Sequence, residues 1–147
     1  MSSLKKYSLL SLIFVSFMLL SSCSNSGGTE VIDQMCNTLD KASSELDKCK
    51  TYQELQNSNY IAILNDSKLN DEIIKNKDYV LTSGDKEKLK KSFINFINIF
   101  MNKVIALSEG SVDESVLKAG KQQAEQEIEN QIKNSKTLGD LTSKMNI

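Results

Sequence analysis

Apolar positions recur at steps of three and four along most of residues 31–147, the spacing that places side chains on one face of an α-helix. Ile32, Met35, Leu39, Ala42, Leu46 and Cys49 form such a stripe, with Asp33, Asp40, Lys41, Asp47 and Lys48 on other faces, which predicts a first helix over 31–50. Thr51 and Glu54 stand at capping-box spacing, where each side chain can satisfy a backbone N–H at a helix start. A second helical stretch is therefore expected from Tyr52 to about residue 77, carrying Leu55, Ala62, Ile63, Leu69 and Ile73. The polar "NDSK" at 65–68 is a place to break it, and the pattern leaves open whether 52–77 is one helix or two. "DYVLTSGD" then reads as an extended connector ending in Thr82 or Ser83 as a helix cap.

Residues 84–109 are the most apolar part of the chain after the first two dozen residues. Leu89, Phe93, Phe96, Phe100, Val104 and Leu107 make one stripe, and Ile94, Ile97, Met101 and Ile105 widen it, leaving a narrow polar band of Lys91, Asn95, Asn98 and Asn102. A helix apolar around most of its circumference needs neighbours on several sides, so it is expected to be the central element. Gly110 stands in the usual terminating position. Ser111 and Glu114 form another capping box and open a fourth helix over 112–135, whose thin face of Leu117, Gly120, Ala124, Ile128 and Gln131 or Ile132 suits close packing. "KTLGDL" repeats the Thr-x-x-acid device at Thr137 and Asp140 and starts a short last helix. The expected fold is all-α: an antiparallel bundle of four to five helices packed around the central apolar helix at about 84–109.

The N-terminus follows a different pattern. Lys5 and Lys6 precede an uncharged run from Leu9 to Leu20, then Ser21, Ser22 and Cys23. A basic start, about a dozen apolar residues and a small-residue end describe a secretory signal peptide, and the run is shorter than the roughly 20 residues needed to cross a bilayer. Leu20-Ser21-Ser22-Cys23 resembles the lipobox of bacterial lipoproteins. The resemblance covers residues 1–23. It implies cleavage ahead of Cys23 under recognition of Leu20, Ser21 and Ser22, a diacylglyceryl thioether on the Cys23 sulfur, and acylation of the new amino group. Each buried methylene contributes about 0.8 kcal/mol, so two or three chains anchor durably where one does not. Where bacterial lipoproteins use an Asp after the cysteine for inner-membrane retention, Ser24 implies the outer membrane. The expected organisation is a leader at 1–22, a lipidated cysteine and small polar spacer at 23–30, and one helical domain at 31–147.

Composition narrows the chemistry. All eighteen basic residues are lysine, and loss of Lys5 and Lys6 with the leader would move the formal charge from −1 to −3. Without arginine forks or a basic stripe, nucleic acid is not an expected partner; membrane lipid through Cys23, and a protein of the cell envelope, are. The absence of histidine removes serine triads and cysteine–histidine pairs in their standard forms. Ser83–Lys86 and Ser115–Lys118 match Ser-x-x-Lys without the companion elements of penicillin-recognising enzymes. Glu125, Glu127 and Glu129 do not share one face, and no metal or cofactor is expected. Cys36 and Cys49, thirteen residues apart, would lie roughly 20 Å apart along one helix, too far for a disulfide; either that helix breaks at "ASSE" or the two do not pair, and buried free thiols are the favoured expectation. The sequence thus reads as a non-enzymatic binding or scaffolding module. The alternative is a carrier with an apolar groove at Phe93, Phe96 and Phe100, holding an acyl chain between the helices at 84–109 and 112–135; full burial of those rings would remove it.

Overall fold

The computed structural model of the chain describes residues 27–145, and there the fold is all-α. Five helices of eight residues or more carry it: α1 Gly28–Lys48, α4 Ser67–Lys75, α5 Ser83–Leu107, α6 Glu114–Asn134 and α7 Leu138–Met145. Two five-residue helices, α2 Tyr52–Gln56 and α3 Tyr60–Leu64, fill the stretch between α1 and α4. The 52–77 region is therefore three helices. Asn57–Asn59 supply the first break, and Asn65 with Asp66 the second, because short polar side chains compete with the helical backbone for its own hydrogen bonds. Asp66 Oδ1 accepts from the N–H groups of Lys68 and Leu69 at 3.0 and 3.2 Å and starts α4.

The predicted stripe of α1 is the buried one: Ile32, Met35, Leu39, Ala42, Leu46 and Cys49 all lie in the core, joined by Val31. Its partner is α5, which also packs on α6 and α2. The α1–α5 pair corrects the antiparallel expectation. Lys88 near the start of α5 pairs with Asp33 near the start of α1 at 3.1 Å, and Lys103 near the end of α5 donates to the carbonyls of Asp47 and Cys49 at 2.8 and 2.9 Å. The two helices run parallel, and α2, α3 and α4 are the crossover that returns the chain to the starting end. Between α5 and α6 the antiparallel expectation holds, with Lys90–Glu129 at 2.6 Å and Lys86 Nζ donating to Lys133 O at 3.2 Å.

The connector from Asn76 to Thr82 ties three helix ends together. Leu81 N–H donates to Lys136 O at 3.0 Å, Leu138 N–H to Tyr79 O at 2.9 Å and Gly139 N–H to Lys77 O at 2.7 Å, so the connector pairs with the α6–α7 link around a single Val80–Thr137 bridge. The Tyr79 hydroxyl donates to Asp85 Oδ2 at 2.8 Å and lies 3.1 Å from Thr29 Oγ1. Thr82 and Asp85 complete a reciprocal capping box at the start of α5. Burial alone would raise the Asp85 carboxyl, but hydrogen bonds from Thr82 and Tyr79 outweigh it and hold the pKa below the ordinary carboxylate value. A depressed folded-state pKa contributes stability that is complete above the unfolded pKa and is lost as pH falls through the folded one. Asp85→Asn is expected to cost about 1–2 kcal/mol near neutral pH. Below about pH 4 the gap to the wild type should close, as urea midpoints measured across that range would show.

Two details of α6 differ from expectation. Its cap is Asp113, whose Oδ1 accepts from Ser115 N at 2.9 Å, and not Ser111, whose hydroxyl donates to Ser108 O at 2.6 Å to close the turn after α5. That turn leaves α5 through two left-handed residues, Glu109 at φ 50° and Gly110 at φ 78°. Leu117, Ala124, Ile128 and Ile132 are buried as predicted, but Gly120 is exposed, and a Cβ there would meet nothing within 4 Å. It is no close-approach residue. Gly120→Ala should stabilise α6 by about 0.5–1 kcal/mol, since glycine costs that much in a helix interior; a thermal midpoint that falls would show a hidden contact.

Candidate functional site

Leu20, Ser21, Ser22 and Cys23, which the sequence pattern sets out as an expected lipobox, lie outside the described residues, as do the expected leader and Ser24. The spacer expected to reach Glu30 is shorter: Gly28, Thr29 and Glu30 already belong to α1. Val31 and Ile32 are fully buried, which fixes the first turn, and Glu30 favours the positive end of the helix dipole. The first described helix begins five residues after Cys23 in the sequence, a stretch of chain that can span at most about 18 Å. Among the described residues no helix is long and apolar enough to cross a membrane.

The aromatic row separates into two environments. Phe93 and Phe96 are 0% exposed, while Phe100 is half-buried. The cover is Tyr60 on α3, with ring centroids 6.4 Å from Phe96 and 5.7 Å from Phe100, and Phe96 and Phe100 stack at 6.2 Å. Aromatic pairs at these distances are favourable beyond their buried area. Tyr60 was not singled out as a core residue from the sequence, because α3 is too short for its stripe to be read. Phe93 and Phe96 are therefore core rings, while Phe100 keeps part of its surface exposed at the edge of the row.

Cys36 and Cys49 are free thiols. Burial pushes the half-buried Cys36 thiol up in spite of a Ser92 hydrogen bond, and Asp40 and Asp33 add to the effect. Such a thiol is a poor nucleophile at neutral pH. Cys49 is buried, with its sulfur 3.5 Å from Glu45 O. Neither Ser-x-x-Lys motif forms a serine–lysine pair. Lys86 reaches Lys133 O, Lys118 pairs with Glu114 at 2.7 Å, and the Ser115 hydroxyl donates to Asp113. Of the three glutamates, Glu129 is engaged by Lys90, which with its hydrogen bond holds that carboxyl below the ordinary value, and Glu127 accepts from Gln131 at 3.3 Å. Among the described residues no group of three or more His, Cys, Asp or Glu side chains gathers as a metal site would require.

One cleft stands at the end of the bundle opposite Gly28. It is an open depression of about 330 Å³ between the residues that follow α1 (Lys50, Thr51, Tyr52) and the last turn and exit of α5 (Leu107, Ser108, Glu109). Nothing in the pattern of apolar residues joins these two segments. The parallel packing of α1 on α5 does, by bringing both carboxyl ends to one place. Comparison with protein-family models, curated proteins and solved structures finds no match for this chain.

Proposed function

We propose that this protein is a lipid-anchored helical lipoprotein of the bacterial cell envelope, a non-enzymatic module that binds or scaffolds at the membrane surface. The observation that carries the reading is Leu20-Ser21-Ser22-Cys23 directly after an uncharged run from Leu9 to Leu20. It is supported by a helical body that starts five residues later and whose described helices do not themselves cross a bilayer. In this reading acyl chains on Cys23 hold α1 by its amino end, and the bundle stands off the membrane around α5 as its central apolar helix. At about 1.5 Å per residue, the 21 residues of α1 set the opposite end some 30 Å further out. The cysteine's acyl chains are the contact with lipid, Ser24 favours the outer membrane, and the rest of the surface is left for an envelope protein or ligand.

Cys23→Ala tests the anchor. The wild type is expected in the detergent phase of a membrane extract and to label with radioactive palmitate. The variant should lose the label and fail to be processed at residue 23. A variant that keeps the label, or a wild type that never acquires it, would remove the anchor.

A further inference from the structure

We propose that the cleft at the far end of the bundle binds a small zwitterion carrying both an ammonium and a carboxylate, of the size of an amino acid or dipeptide. This goes beyond the anchor reading and does not depend on it. Among the described residues, the Lys50 ammonium and the Glu109 carboxylate make no ion pair with each other or with any other side chain, although both line the same cleft. Two exposed, opposite charges, one from each of the segments that border the cleft, that do not neutralise each other suit a ligand that offers the complementary pair.

The helices sharpen the arrangement. Each carries a partial negative charge at its carboxyl end. In an antiparallel pair these ends would lie apart, but α1 and α5 run together, so the last turn of α5 lines the cleft opposite Lys50, two residues past the end of α1. Lys103 already shows what that end attracts, its ammonium resting on the carbonyls of Asp47 and Cys49. A ligand ammonium belongs beside Glu109 and the end of α5, and a ligand carboxylate beside Lys50. Tyr52, 43% exposed, and the side of Leu107 offer apolar contact for the part between. A volume of about 330 Å³ is at the small end of the usual range for ligand sites and suits a small molecule.

The experiment is a titration of the isotope-labelled full chain in detergent micelles with the dipeptide alanyl-alanine, followed by amide chemical shifts. Its N-acetyl and C-terminal amide forms serve as comparisons. Alanyl-alanine should give saturable shifts centred on Lys50, Tyr52 and Glu109, and each capped form should bind about threefold to fivefold more weakly, the loss expected for one exposed charge pair. Lys50→Gln should erase the difference between the dipeptide and its amide, and Glu109→Gln that between the dipeptide and its N-acetyl form. No saturable shift, or capped forms that bind as well as the free dipeptide, would overturn the proposal; the wild-type series alone decides it if either variant misfolds.

Discussion

Replacing Phe96 with Ala should destabilise the protein by about 3–5 kcal/mol, the range for a large aromatic removed from a closed core. Phe96 is fully buried, on a helix that packs on α1, α2 and α6, and its ring meets both Tyr60 and Phe100. The loss combines three effects: removal of apolar area from the core, a cavity the neighbours fill only partly, and the end of two aromatic contacts. Since domains of this size are stable by only about 5–15 kcal/mol, the variant should unfold at a much lower urea concentration. Phe100→Ala provides the internal comparison. Its ring is only partly buried, and the cost should be smaller. Equal, small losses at the two positions would mean that the row is an open surface, and would favour the carrier reading.

Gly28→Ala should be nearly as damaging, for a different reason. A Cβ on Gly28 would overlap Cγ and Cδ2 of Tyr79, deep inside the ring's own volume. Either the ring moves or the first turn of α1 does. If the ring moves, its hydroxyl leaves Asp85 and Thr29, and the connector loses the side chain that joins α1 to the start of α5. Overpacking together with the lost hydrogen bond to a carboxylate gives an expected cost of about 2–4 kcal/mol. The contact predicts its own control: in a Tyr79→Ala background the same glycine substitution should cost almost nothing. A double-mutant cycle that finds the two effects additive would show that the ring and the glycine are not in contact.

What could be read from the sequence was whatever is local. The α1 stripe and the capping boxes at Thr51 and Thr137 follow from spacing within one helix, and the structure places them where the pattern does, with Thr82 as the cap of α5; of the α5 stripe, Leu89, Phe93, Phe96, Ile97 and Met101 are buried, while Ile94, Phe100, Val104, Ile105 and Leu107 are only partly so. The cap of α6 was misread because Ser111 and Asp113 are both good caps two residues apart, and only the closed turn at Ser108 decides between them. Relative direction was illegible for a deeper reason. A stripe says that a helix has a buried face but not which way its neighbour runs, and the two breaks at Asn57–Asn59 and Asn65–Asp66 create the crossover that makes α1 and α5 parallel. The cleft at Lys50 and Glu109 depends on that direction, so no motif announces it. Nor does periodicity reveal that Tyr79 covers Gly28, which requires fifty residues of chain to return to their start.

The central claim is a chemical one about a single sulfur atom, and intact mass measurement of the protein purified from its own membrane addresses it most directly. The account predicts a polypeptide that begins at Cys23 and carries the added mass of a diacylglyceryl group, with or without a further acyl chain on the amino nitrogen. A mature chain that begins at another residue, or begins at Cys23 with no lipid on it, would contradict the account.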